Sequence, residues 1–496
     1  MILLVAAALQ VSAVDYARVR SIVPDSAPDP WVSGERCAGS GVCAEPVEIR
    51  TGFNSAFPWG QNDGPMWQGK GLSLQLSAGA GFRRGGLEVV VSPKLVYAAN
   101  GSFALAPLAP PPGYSPFAYP YHRNGAELRI DWPQRFGTGS YRRLDPGETR
   151  IRFRWRALEA GAGTNSMSWG PGIRNAIVMS DNAGGFPHAY AGTSRPVSIG
   201  IGKLGAQIYW GQLSESRFFD TISTNNHRWF NGLLLSFEPR GLEGLSLGAA
   251  RVFYELMPDA LGLADLTRVF TGVTKKGLAT PGNPGGNDAA DQMISLFARW
   301  ALKPAGFEAY VEWARNDHNW DIRDFLLEPE HSQGYTIGFQ KVNVLAGGRL
   351  LRLNGEITHL ERSATLQVRA TPPYYTHHVV RQGYTHHGQV IGAGIGPGGN
   401  SQYLGGDVIA PWGSAGAFVG RQVHDNDAYY GLVGDTISFG QHYVELQLGA
   451  RGVLRRGRVD IGGVLALSRH MNRYYLLEND PVNLHLTLWG RWRPSR

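Results

Sequence analysis

The chain has 496 residues, with 47 Lys and Arg against 40 Asp and Glu, a formal net charge of +7 and a pI of about 9.3. Charged residues make up 18% of it, below the ~25% of ordinary domains, while Gly numbers 66 and Trp, Tyr and Phe number 14, 20 and 20. This balance argues against a helical bundle and suits a turn-rich β-protein. The basic charge is spread over alternating segments without a nucleic-acid-binding module, so no nucleic-acid partner is expected.

Residues 1–13, MILLVAAALQVSA, form the one continuous apolar run. They are too few to span a bilayer as a helix and match the apolar region of an export signal that lacks its basic start, with small residues Val11-Ser12-Ala13 ahead of the cut. Residues 14–70 are expected to be a short, irregular, Pro- and Gly-rich periplasmic or plug-like segment. Its cysteines, Cys37 and Cys43, are the only two in the chain. They either close a small disulfide in an oxidising compartment or stay free, and no neighbouring Cys or His completes a metal site.

From residue 71 the pattern is β. Leu72, Leu74, Leu76, Ala78, Ala80 and Phe82 alternate with polar or small residues up to an Arg84-Gly85-Gly86 turn, and Leu87, Val89 and Val91 return. Similar hairpins follow around Gly202-Lys203, over 307–313, and over 444–451 with a turn at Arg456-Gly457. A soluble sandwich would alternate in the same way. Three features favour lipid instead. Strands of about ten residues are joined alternately by very short turns and by long loops such as 271–291 and 360–383, as bilayer-crossing strands require. Trp210, Trp229, Trp313, Tyr429, Tyr430, Tyr474 and Tyr475 stand at strand ends, where an interfacial girdle belongs. The C-terminal VNLHLTLWGRW places Leu484, Leu486, Leu488 and Trp492 on one face. At roughly 20 to 25 residues per strand and connection, residues 71–496 make an all-β transmembrane antiparallel barrel of about 18 strands.

The stretch RIRFRWRA puts Arg150, Arg152, Arg154 and Arg156 on one face and Ile151, Phe153 and Trp155 on the other. One Arg on the lipid face costs about 2–4 kcal/mol at mid-depth, so four would cost on the order of 10 kcal/mol, as much as a domain's stability. The arginines therefore face the lumen. There they either grip a polyanion or satisfy inward carboxylates, for which Glu308, Glu312, Glu356 and Glu445 are the candidates.

WGQNDGPMWQGKGL (59–72), the run from Trp169 to Val197 that opens WGPGIRN and contains GFPH, YVEWARNDH (310–318) and YTHHGQVIGAGIG (384–396) resemble the capsule assembly Wzi family. The resemblance implies an eighteen-stranded outer-membrane barrel, closed by loops and plug elements, that holds capsular polysaccharide at the surface as a lectin-like anchor. It brings no catalytic machinery and no cofactor. Trp59, Asn62, Trp67, Trp169, Arg174, Asn175, His188, Glu312 and Tyr384 fall in its motifs. Arg174 offers a guanidinium fork suited to a carboxylate, and Trp59, Asn62 and Trp67 are candidate sugar contacts. Family members known for a helical bundle at the periplasmic mouth differ from the Pro- and Gly-rich 14–50 here.

YTHH occurs at 375–378 and 384–387, but adjacent histidines on a strand diverge and no further ligand accompanies them, so no metal is assigned. His424-Asp425-Asn426-Asp427 lacks the ligand spacing of a calcium loop. No nucleophile elbow is present and the chain is not expected to be an enzyme. The partners expected are acidic capsular polysaccharide, outer-membrane lipid and other capsule export components, for a monomer. The alternative is an outer-membrane porin for anionic solutes, its selectivity set by lumenal arginines.

Overall fold

The computed structural model describes residues 13–24, 40–272, 274–278, 281, 289–317, 319–433 and 441–494. Eighteen antiparallel strands close a barrel in which each pairs with its chain neighbours and the last returns to the first. They are β1 (Gly41–Asn54), β2 (Gly71–Arg84), β3 (Leu87–Val91 and Lys94–Ala98), β4 (Tyr141–Asp145 and Arg150–Trp155), β5 (Leu158–Gly163) and β6 (His188–Thr193 and Val197–Ser198). There follow β7 (Gly202–Ser214), β8 (His227–Pro239), β9 (Leu245–Leu256), β10 (Asp291–Leu302), β11 (Phe307–Asn316) and β12 (Gln333–Leu345). The wall is completed by β13 (Arg349–His359), β14 (Asn400–Ala410), β15 (Gly413–Val423), β16 (Val444–Arg456), β17 (Val459–Met471) and β18 (Val482–Trp492). Closure pairs every wall strand on both sides, which hydrocarbon demands of backbone polar groups.

The barrel begins at Gly41, well before residue 71. β1 supplies the closing seam, with Ile49 opposite Leu76 of β2 and Gly490 of β18. The mixed composition of β1, with Pro46 and three charged residues, hides it from a search for clean alternation. Cys43 lies on this strand and Cys37 lies outside the described residues, so the expected bridge has only one end in view. Residues 1–12 also lie outside them. Ala13–Arg20 form a short helix, α1, in place of an irregular segment. Its Tyr16 and Val19, with Ile22 and Val23 beyond it, pack on Ala301, Val342, Leu350 and Ile409 near the short turns.

Short turns all fall at one end and long loops at the other, the pattern of periplasmic turns and extracellular loops. The turn before β7 is 199–201, with Gly200 at φ +84°, and Gly202-Lys203 already belong to the strand. At the short-turn end an aromatic girdle is made of Trp155, Trp300, Trp412 and Trp492, each about half exposed. At the other end Trp210, Trp229 and Trp313 also point outward, since they alternate with the inward Tyr209, Phe230 and Glu312, and the loop at 265–266 covers Trp229 and meets Trp210, while Tyr474 and Tyr475 turn inward against Tyr121. These tryptophans thus face outward at both ends, whereas the tyrosines of the 472–481 loop, which no strand alternation orders, turn into the lumen.

The long loops 55–70, 99–140, 164–187 and 360–399 fold into the lumen. Their Ile130, Trp169, Ile177, Phe186, Tyr375 and Ile391 join inward wall residues such as Tyr209, Phe230, Tyr254 and Met293 in one apolar core. This core is the plug.

Candidate functional site: an anchored plug over a basic cavity

Two wall carboxylates hold the plug. Glu356 of β13 is buried, and its oxygens accept three consecutive backbone N–H groups: Ile173 at 2.6 Å, Arg174 at 3.1 Å and Asn175 at 2.8 Å. The Tyr310 hydroxyl donates a fourth bond at 2.8 Å. Such a concave run of amides is an anion nest, and the Gly-Pro-Gly of WGPGIRN bends the chain into it. Glu312 of β11 accepts the Ile177 N–H at 3.1 Å and the Ser295 hydroxyl at 2.9 Å. Gly170, at φ +103°, lies against this carboxylate, and a Cβ there would come within 2.6 Å of Glu312 Oε2. The motif's most specific residues therefore dock a loop inside the barrel.

Their side chains are spent on the same task. Trp169 is buried against Tyr209 and Phe230. The Arg174 guanidinium stacks over Tyr403 at 4.2 Å and donates to Gln61 Oε1, so it is the backbone of this residue, and not its fork, that meets a carboxylate. Asn175 accepts from Gln61 and donates to Ser401. Asn62, at φ +58°, donates to the Arg174 carbonyl at 2.7 Å. Trp67 packs on Phe136 at 4.7 Å, and Trp59 donates its indole N–H to Glu445. Tyr384 is fully buried and stacks on Tyr375, which makes the two YTHH segments paired core elements. Their imidazoles serve the backbone: His377 Nδ1 accepts from Val380 at 3.0 Å and His386 Nδ1 from Ser214 at 3.1 Å. Burial, aided by neighbouring His387 and Arg143, holds His386 well below the usual imidazole range, so it stays neutral.

Below the plug, toward the short turns, lies a cavity of about 1440 Å³ lined by Arg150, Arg152, Arg154, Lys94, His188 and α1, among others. Ile151, Phe153 and Trp155 are 50%, 55% and 57% exposed on the lipid side, so the ladder faces inward as the cost of lipid exposure requires. Its partners are not the four glutamates expected. Glu88 of β3 takes Arg83 at 2.6 Å, Arg150 at 3.1 Å and Arg152 at 2.7 Å, and Glu159 takes Arg154 at 3.0 Å. Both are cross-strand neighbours of the ladder. Glu308 instead joins Arg299 to Arg18 of α1. Arg156 leaves the ladder: at φ +56° in the turn, it lies over Trp155 on the outside. Three guanidiniums thus converge on the one Glu88 carboxylate. The plug separates all of them from the long-loop end.

At that end Arg381 pairs with Glu127, and Arg129 and Lys275 lie near His378. Burial, with the positive charges nearby, pushes the His378 imidazole down. Glu215 is pushed up to about 7 and Asp131 to about 6, burial being the main cause in both.

A closed barrel of eighteen antiparallel strands, with short turns at one end and inward-folded loops at the other, defines a plugged bacterial outer-membrane barrel. The capsule assembly protein Wzi family model matches residues 50–407, and the chain belongs to that family. Among solved structures it is similar to the Escherichia coli outer-membrane protein Wzi, described as involved in group 1 capsule assembly and as a carbohydrate-binding β-barrel. The two are 11% identical over 91% of this chain and 85% of that one, with a TM-score of 0.61. Acinetobacter baumannii OccAB2 is 12% identical over 93% and 99% at 0.42, and Pseudomonas aeruginosa OccK2 with glucuronate is 12% identical over 92% and 99% at 0.43. No curated protein matches the sequence.

Proposed function

We propose that the chain binds acidic capsular polysaccharide at the cell surface and anchors it there, as a monomer and without a catalytic step. The observation that supports this reading is the anchored plug. Loops that could gate a pore are bound to wall carboxylates at Glu312 and Glu356, so the long-loop end offers a fixed surface in place of a channel mouth. The carbohydrate-binding description of the solved relative points the same way. The basic groups placed to meet the polymer from outside are Arg129, Lys275 and Arg381, whereas Arg150, Arg152 and Arg154 would meet a polyanion only from the periplasmic side.

Deletion of the gene is expected to release capsule into the medium with synthesis unchanged, and the purified protein is expected to retain acidic polysaccharide in a salt-sensitive manner. Unchanged cell-bound capsule after deletion would defeat the reading. A steady anion current through the protein in planar bilayers would favour a porin.

A further inference from the structure

Near the long-loop end the barrel wall brings together His424, Glu445 and His470, whose ligand atoms all lie within 4.8 Å of one another. Glu445 Oε1 helps hold the 55–70 loop through Trp59, but neither that contact nor the ladder accounts for two imidazoles converging on Oε2. Glu445 and His470 are direct cross-strand partners on β16 and β17, so the register of the hairpin places both side chains on one lumenal face. His424 follows the last residue of β15, and its N–H donates to the Tyr443 carbonyl at 2.9 Å, which brings its ring alongside. His424 Nε2 is 2.9 Å and His470 Nε2 3.6 Å from the same carboxylate oxygen, Glu445 Oε2.

We propose that His424, Glu445 and His470 form a binding site for one divalent transition-metal ion of the zinc class. Two imidazole nitrogens and one carboxylate oxygen are a donor set zinc takes, leaving a further position for water or another oxygen ligand. The surroundings orient Glu445 and His470 as a metal site needs, and His424 comes to match once the metal displaces its Nε2 proton. Glu445 Oε1 is held by Gln447 Nε2 at 2.8 Å and by the Trp59 indole, which leaves Oε2 directed at the imidazoles. His470 Nδ1 lies 2.6 Å from the Tyr443 hydroxyl, so a proton on Nδ1 leaves the lone pair on Nε2. The Ser468 hydroxyl lies 3.3 Å from that Nε2 and can turn away or complete the shell. The Tyr443 ring stacks on His424 at 4.1 Å and the Phe57 ring meets His470 edge-on at 4.4 Å, which fixes both imidazole planes. His424 has a fifth of its side chain exposed while the other two are nearly buried, so an ion has one side of approach. Bound metal would tie three strands and, through Trp59, the 55–70 loop into one unit.

The test uses the full-length protein in detergent, stripped with a chelator and titrated with Zn²⁺ against a chromogenic competitor, then with Co²⁺ followed by absorption. One equivalent per chain is expected, with cobalt bands of four- or five-coordinate intensity. His424→Gln should weaken uptake on the order of tenfold or more, and Glu445→Gln likewise. Glu445→Gln also disturbs Trp59 and Gln447 and can impair folding, so the partly exposed His424→Gln carries the comparison, with heat-modifiable gel migration reporting the folded barrel. Absence of stoichiometric uptake by the unaltered protein overturns the proposal. So does unchanged uptake by folded His424→Gln, or uptake abolished by His378→Ala instead.

Discussion

Replacing Glu356 with Ala removes the acceptor of three loop amides and one tyrosine hydroxyl at once. Hydrogen bonds to a charged group contribute about 1.5–3 kcal/mol each, but the four share one partner and are not additive. Water entering the space left by the side chain recovers part of the loss, so about 3–5 kcal/mol is the expected net cost. The barrel wall does not depend on this residue, because β13 keeps its ladders to β12 and β14. The cost therefore falls on docking of the 164–187 loop. A loss of about 3 kcal/mol raises the undocked fraction by roughly a hundredfold. In planar bilayers Glu356→Ala should show frequent openings where the unaltered protein stays closed, and its plug should be cut faster by external protease. Glu356→Gln should fall between the two, since its amide keeps one acceptor oxygen but turns an NH₂ toward donors. A Glu356→Ala protein as closed and as protease-resistant as the original would refute the claim that this nest docks the plug.

Glu308→Gln should free α1, because the buried carboxylate binds both Arg18 and Arg299, and breaking such a pair costs about 3–5 kcal/mol; faster cleavage near Arg18 from the periplasmic side is the readout. Stability should rise as pH falls through about 7. Glu215 has a folded pKa above its unfolded value, so its folded state binds a proton more readily and the unfavourable contribution vanishes toward acid; Glu215→Gln should flatten the melting temperature between pH 5 and 8. Arg129→Gln with Arg381→Gln should weaken retention of acidic polysaccharide applied from outside, while Arg150→Gln with Arg152→Gln should leave it unchanged; the opposite pattern would move the binding surface below the plug. Leu448→Arg, on the lipid face near the middle of β16, should cost about 2–4 kcal/mol and reduce the yield of folded barrel in membranes.

The wall could be read from sequence because a bilayer imposes two unlike solvents on alternate residues. The direction of the arginine ladder followed from the cost of placing guanidinium in lipid, before any partner was known. The ladder's partners did not follow, because Glu88 meets Arg150 and Arg152 only through a pairing between β3 and β4 that spans the 99–140 loop. The plug was less legible still. WGPGIRN suggested the Arg174 fork as the group that meets a carboxylate, whereas it is the amides of 173–175 that enclose one, about 180 residues away. Nothing local marks such a contact, since any backbone can donate and only the fold decides which glutamate arrives. Local register works where a tight turn fixes it. Once Gly457 is placed in the turn between Arg456 and Val459, counting back along both strands sets Glu445 opposite His470. Half of the metal-site geometry was therefore available from the hairpin alone. The other half, His424, enters from beyond β15 through the backbone bond to Tyr443, and required the folded loop end.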